Sequence, residues 1–273
     1  MYANPKHLGA GILSGTAVGI ETDENGNIVG FNPAKFAAGF LGGAIGSKSI
    51  ERLAKNPKAR AVMERIYLKK DIIPKMQQGE KVDTQEVIKI LENSPQKGRD
   101  MVVIGKENFT PEIVEYIHKN DKKVAIDKVD SKQAERLGFK HPHDVRATID
   151  YQAINHTLKR HGIDSILVKQ SGQKAVDYND IVNYRNITRN ANESLNSIDN
   201  SGNPVLVSYK QVNGHFVVVE QVKKKNNELG FKTMFKGNGD YKASQSYKET
   251  SAKAQTLSIG YEPSANSFAK SDN

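Results

Sequence analysis

The amino-acid sequence predicts an α+β protein on three observations. Helix-period segments lie mainly before residue 190, whereas alternating apolar runs gather between 204 and 236. Asn213-Gly214 joins two of those runs, a strong hairpin signal. The helices precede the strands instead of alternating with them, which favours α+β over a βαβ array. The expected architecture is a helical N-terminal region followed by a domain with helices packed on a four-stranded antiparallel sheet. Ser94-Pro95-Gln96-Lys97-Gly98 has Pro and Gly but no apolar anchor. It divides a Gly-rich interaction region (1–95) from a folded domain (99–241), with a last strand and a flexible tail over 242–273.

Each element has its own signal. Residues 8–20 are small and apolar, and Asp23-Glu24-Asn25-Gly26 reads as a turn between two short β-prone pieces. Pro33 opens a helix capped by Asn32. In that helix Gly39, Gly42, Gly43 and Gly46 supply small faces, which suit a tight helix–helix contact or a short membrane-associated hairpin. Amphipathic helices follow over 57–77 and 84–93. The pattern then gives a strand over 101–105, a helix over 111–120 capped by Thr110, a strand over 123–127 and a short helix over 131–137 stopped at Gly138. A helix over 150–161 ends with Gly162 in the C′ position. Another helix covers 180–190. Strands over 204–210, 214–224, 229–236 and 255–261 complete the sheet, and the last ten residues read as disordered.

Composition narrows the chemistry. The chain has 273 residues and no Cys, so disulfide scaffolds, thiol catalysis and Cys-ligated zinc are excluded. Net charge is +9 and mean hydropathy −0.60, which suits a soluble, cytoplasmic protein with a polyanionic partner. More than half of the excess positive charge falls after residue 150. The longest uncharged stretches, 8–20 and 36–47, are shorter than the roughly 20 residues a spanning helix needs. Neither a secretory signal nor a Walker loop is present, and no Gly-x-Ser-x-Gly element supports serine hydrolase chemistry.

Five of the seven His residues lie between 141 and 215. On the 150–161 helix Arg160 sits about 40° from His156, on the same face. His161 ends that helix, where the dipole would favour its protonated form. A His–Arg pair at this spacing is one that RNA cleavage by internal transesterification can use. His moves a proton at the 2′-oxygen or the leaving 5′-oxygen, and Arg stabilises the phosphorane. The plain alternative is a polar face on an amphipathic helix. On the hairpin, Lys210 and His215 flank Asn213-Gly214. Strict alternation places Lys232 and Lys236 on one strand face, with Thr233 on the other. His141-Pro142-His143-Asp144 is a weak metal-ligand pattern, and no cofactor is expected.

The run Ile149-Asp150-x-x-x-Ile154-x-His156-x-x-x-Arg160-His161-Gly162 resembles the leading helix of phage-associated nucleases of the barnase/EndoU/colicin/RelE-like superfamily. Gly172-Gln173, Asp180, Gly214-His215-Phe216-Val217-Val218-Val219-Glu220 and Phe231-Lys232-Thr233-Met234-Phe235 follow in the matching order. The Gly-rich region around 36–47 is similar to segments that precede such domains in epsilonproteobacterial mobile-element proteins. The resemblance implies a RelE-like fold and a toxin-like, metal-independent endoribonuclease acting on tRNA or mRNA and leaving a 2′,3′-cyclic phosphate. It carries catalytic roles onto His156, Arg160, His215 and Thr233; beside these, His161 is a further catalytic candidate, Lys210, Lys232 and Lys236 are candidate substrate contacts, and an immunity or antitoxin protein is the expected partner. A non-catalytic, nucleic-acid-binding phage or mobile-element protein is the alternative.

Overall fold

Five helices start on a side chain that accepts a hydrogen bond from the backbone of its own first turn. Asp83, Thr110, Asp130, Asp150 and Asp177 take the N–H groups of Gln85, Ile113, Gln133, Ala153 and Asp180. These caps fix where the helices begin. The computed structural model describes residues 20–22, 28–32, 57–171 and 173–259, and divides the chain into Met1–Lys128 and Val129–Asn273. The expected Pro33 helix with its glycines, the apolar run up to residue 19 and the last ten residues lie outside the described residues.

In the first unit β1 (Ile20–Thr22) and β2 (Ile28–Phe31) pair antiparallel. α1 (Pro57–Tyr67) passes through a π-helical stretch, Leu68–Ile72, into α2 (Ile73–Gln77), so the predicted helix over 57–77 carries one widened turn. α3 (Thr84–Asn93), α4 (Pro111–Lys119) and β3 (Lys123–Lys128) follow. The core gathers Tyr67, Ile72, Met76, Ile104, Ile113 and Ile117, each at most 1% exposed. Residues 101–105, expected as a strand, make a single parallel bridge, Val103 to Ala125. Gly105 leaves the extended conformation at φ +81°, and Asn108 then turns the chain by donating to Glu80 O and Ile104 O.

The second unit begins with α5 (Ser131–Arg136), β4 (Arg146–Asp150) and α6 (Tyr151–His161). α7 (Ile166–Ser171), α8 (Tyr178–Val182) and α9 (Tyr184–Arg189) lead to β5 (Glu193–Ile198), β6 (Pro204–Gln211), β7 (His215–Lys223), β8 (Glu228–Gly237) and α10 (Gln245–Ile259). Strands β5 to β8 form an antiparallel meander, and β4 adds to β8 in parallel, with Ala147 opposite Leu229. The sheet is therefore mixed, not purely antiparallel. The segment expected as its fourth strand, 255–261, is helical as far as Ile259, and β5 takes that place. The hairpin turn stands as read: Asn213 and Gly214 take φ +45° and +98°. Gly162 closes α6 in an extended conformation, not as a left-handed C′ residue. A Cβ there would lie 2.4 Å from Leu158 O, so close approach explains the glycine.

Helices cover both faces of this sheet. On one, α6 packs on β8, while α10 packs on β5 and its Tyr247 joins Tyr209 and Tyr241 in a three-ring cluster. The Tyr241 and Tyr247 hydroxyls donate to Glu193 at 3.2 and 3.0 Å, anchoring the start of α10 to β5. On the other face α9 packs on β6 and β7, and Arg185 pairs with the fully buried Glu220 at 3.0 Å.

Candidate active site

The register of β7 and β8 brings His215 opposite Gly237, Val217 opposite Phe235 and Val219 opposite Thr233. The α6-covered face therefore carries His215, Phe235 and Thr233 in a line. Thr157 Oγ1 lies 3.3 Å from Thr233 Oγ1, and the His161 ring stacks on Phe235 with centroids 5.2 Å apart and planes at 29°. These two contacts set the height and rotation of α6, and so the place of Arg160. A cavity of about 680 Å³ opens beside them. Arg160 and His161 line it from α6, His215 and Phe235 from the sheet, Glu249 from α10, and Gln173 from the segment after α7.

His215 is held from two sides. Its Nδ1 is 3.2 Å from Gly239 O, and where Nδ1 donates to that carbonyl, Nε2 is the nitrogen left to accept a proton. A Cβ on Gly237 would lie 2.2 Å from that Nε2, so only glycine gives the ring room. His161 is 9% exposed, and burial with the neighbouring Arg160 charge pushes its pKa down to about 4, against an opposing bond from Gln173. The protonated His161 expected from the helix dipole is thus overturned: loss of solvation outweighs the dipole. The His156 pKa is also lowered, by partial burial and then by Arg160 and Lys232.

The predicted site residues fall into three groups. Arg160, His161 and His215 line the cavity, and the Arg160 side chain is exposed, in no ion pair among the described residues. His156 stands one turn before Arg160 on α6, within the electrostatic reach of Lys232, while Thr233 holds the hydroxyl of Thr157. Lys210 and Lys236 lie on the other side of the sheet, since Lys210 pairs across to Phe216 and Phe216 to Lys236. There Lys236 meets Asp180 at 2.6 Å and sits over the Phe216 ring.

Simple alternation fails at Lys232. The register slips between Val219–Thr233 and Glu220–Phe231, leaving Lys232 outside the ladder. Lys232 pairs with Asp199, at the end of β5, while Lys236 pairs with Asp180 in α8, so the two lysines do not share a site. Burial works against the Asp199 charge, yet Lys232 and bonds from Asn203 and Ser201 hold its carboxyl well below the usual range. Glu249 and Asp199 were not singled out by sequence, and Gln173 and Phe235 stood there only inside matching runs, with no role of their own. Asp199-Asn200-Ser201-Gly202-Asn203 reads as an ordinary turn, and α10 carries almost no amphipathic periodicity to announce its Glu249. No group of three or more metal-ligating side chains gathers among the described residues; at the His141–Asp144 pattern, Asp144 pairs with Arg146. No helix among the described residues is long and apolar enough to cross a membrane.

A cation and two imidazoles thus line one cavity on an α+β sheet, groups that can move protons and balance anionic charge. Residues 123–244 match the model of a family described as phage-Barnase-EndoU-ColicinE5/D-RelE like nuclease3, which shows the superfamily resemblance over that segment. The match takes in α6 and the whole sheet of the second unit and stops just before α10. No curated protein and no solved structure matches the chain.

Proposed function

We propose that the protein is an endoribonuclease that cleaves RNA through the 2′-hydroxyl of its substrate, at the cavity beside α6. The observation that carries this reading is the convergence of Arg160, His161 and His215 on one cavity within a nuclease-family segment. The His215 Nε2 takes the 2′-hydroxyl proton, and the 2′-oxygen attacks phosphorus. Arg160 balances the negative charge gathering on the phosphorane oxygens. The P–O5′ bond breaks, and His156 gives its proton to the leaving 5′-oxygen. The products are a 2′,3′-cyclic phosphate and a 5′-hydroxyl, and no external nucleophile enters. Burial first, and then the Arg160 and Lys232 charges, lower the His156 pKa; an anion bound beside it works against those two charges and so favours the protonated acid. His161, neutral and stacked on Phe235, walls the cavity, and Thr233 positions α6 through Thr157. An immunity or antitoxin protein is the partner this activity calls for.

The test incubates the purified chain with total tRNA in EDTA beside Arg160→Ala and His215→Ala. Discrete fragments with cyclic-phosphate ends, reduced about 10²-fold or more in both variants, are expected. RNA bound but never cut by the wild type would favour the non-catalytic reading.

A further inference from the structure

The end of the sheet opposite the cavity carries a second cationic surface, which the cleavage chemistry does not use. β7 and β8 are joined by a tight turn, Lys224–Asn226, closed by Asn227 in the left-handed conformation at φ +57°. The loop after α5 is locked against this turn. Asn227 Nδ2 donates to His141 O at 2.9 Å, and Arg146 N donates to Asn227 O at 3.0 Å. Lys224 reaches over the same loop, since a Cβ on Gly138 would lie 2.9 Å from its Nζ. Two rigidly joined loops thus present Arg136, Lys140, Lys224 and Lys225, with His141 and His143 beside them, all exposed. None of the four cations is in an ion pair among the described residues. The contrast with Lys232 and Lys236, each neutralised by a carboxylate, is plain.

We infer that this surface is a distal phosphate-binding site that anchors the substrate RNA away from the scissile bond. The inference rests on the endoribonuclease reading for the identity of the polyanion. β7 runs from His215, at the cavity, to Lys223, beside the patch. Eight steps at about 3.3 Å separate them by roughly 26 Å. That distance equals about eight stacked nucleotides at about 3.4 Å of axis each. A stacked strand of about this length touches both places, and a more extended strand reaches with fewer nucleotides. The substrate class is therefore an extended or structured RNA, and a di- or trinucleotide reaches the cavity alone.

The experiment measures binding of 2′-O-methyl RNA, which cannot be cleaved through its 2′-oxygen. A 20-nucleotide strand and a trinucleotide are titrated against the full chain and against the Lys224→Ala/Lys225→Ala double variant, from 50 to 200 mM salt. For the 20-mer the variant should bind about tenfold more weakly, with a salt slope smaller by roughly 1.4, about 0.7 per lost contact to a single strand. For the trinucleotide it should match the wild type. Equal affinity and slope on the 20-mer, or equal loss on both lengths, overturns the anchor. So does a variant that keeps its RNA affinity while losing binding to phosphatidylserine vesicles, which would assign the patch to a membrane surface. Binding here does not depend on cleavage. A chain that passes this test yet never cuts unmodified RNA sinks the nuclease reading and leaves the anchor standing.

Discussion

His161 and Phe235 stack face to face, 5.2 Å apart, and this contact buries the imidazole at the wall of the cavity. Burial is why the ring stays neutral. Its pKa of about 4 in the folded chain compares with an ordinary value of 6.5. The unfolded chain therefore takes up a proton at His161 as pH falls through 6.5, while the folded chain resists until about 4. Stability is lost across that window, by about 3 kcal/mol from this residue. Denaturant unfolding at pH 7 and pH 4.5 should show a smaller acid loss in His161→Phe than in the wild type. Equal losses would mean that His161 is not held neutral.

Gly237 makes a sharper prediction because it touches the site through space alone. Adding one methyl group puts a carbon 2.2 Å from His215 Nε2, so the ring must leave its place. Gly237→Ala should cut RNA about as poorly as His215→Ala and lose about 1–3 kcal/mol of stability from the forced shift. Cleavage rates and urea midpoints measured together check both halves.

Thr157 and Thr233 share a hydroxyl contact that holds α6 at its height over β8. If Thr233 acts only by positioning, Thr233→Val costs about 1 kcal/mol and a modest loss of rate, without changing the pH profile of cleavage. A hundredfold loss with stability intact would instead put the Thr233 hydroxyl on the substrate.

The buried pair on the other face tests the fold apart from the site. Among the described residues Arg185 is the charged partner of the buried Glu220; burial raises the Glu220 pKa, and Arg185 works against that rise. Arg185→Met alone should cost about 3–5 kcal/mol, and adding Glu220→Leu should recover most of it. A double variant no better than the single one would contradict this view of the pair.

Much of the fold was legible because its signals are local. Thr110 announces a helix start, and Asn213-Gly214 announces the hairpin that delivers His215. The losses came where distant residues decide. The run 146–150 is a β-strand because Glu228–Gly230 accepts it in parallel, a pairing with no local mark. α10 lacks a periodic apolar stripe and is held by Tyr247 and Ser246, which bond Glu193 and Tyr209 from far along the chain. At the site, spacing alone put His156 and Arg160 on one face of α6, and that arrangement follows from the helix itself. The protonation of His161 did not, because it depends on burial under Phe235. The separation of Lys232 from Lys236 did not either, because one slipped register between β7 and β8 undoes the alternation.

The central claim is that Arg160 and His215 act on one phosphodiester. The most direct measurement is the rate of tRNA cleavage in EDTA by wild type, Arg160→Ala, His215→Ala and the double variant. Each single change should slow cleavage about 10²-fold or more, and the double variant should fall well short of the product of the two losses, as for residues that act as a unit. Cleavage by both single variants at the wild-type rate would place the chemistry elsewhere and contradict the account.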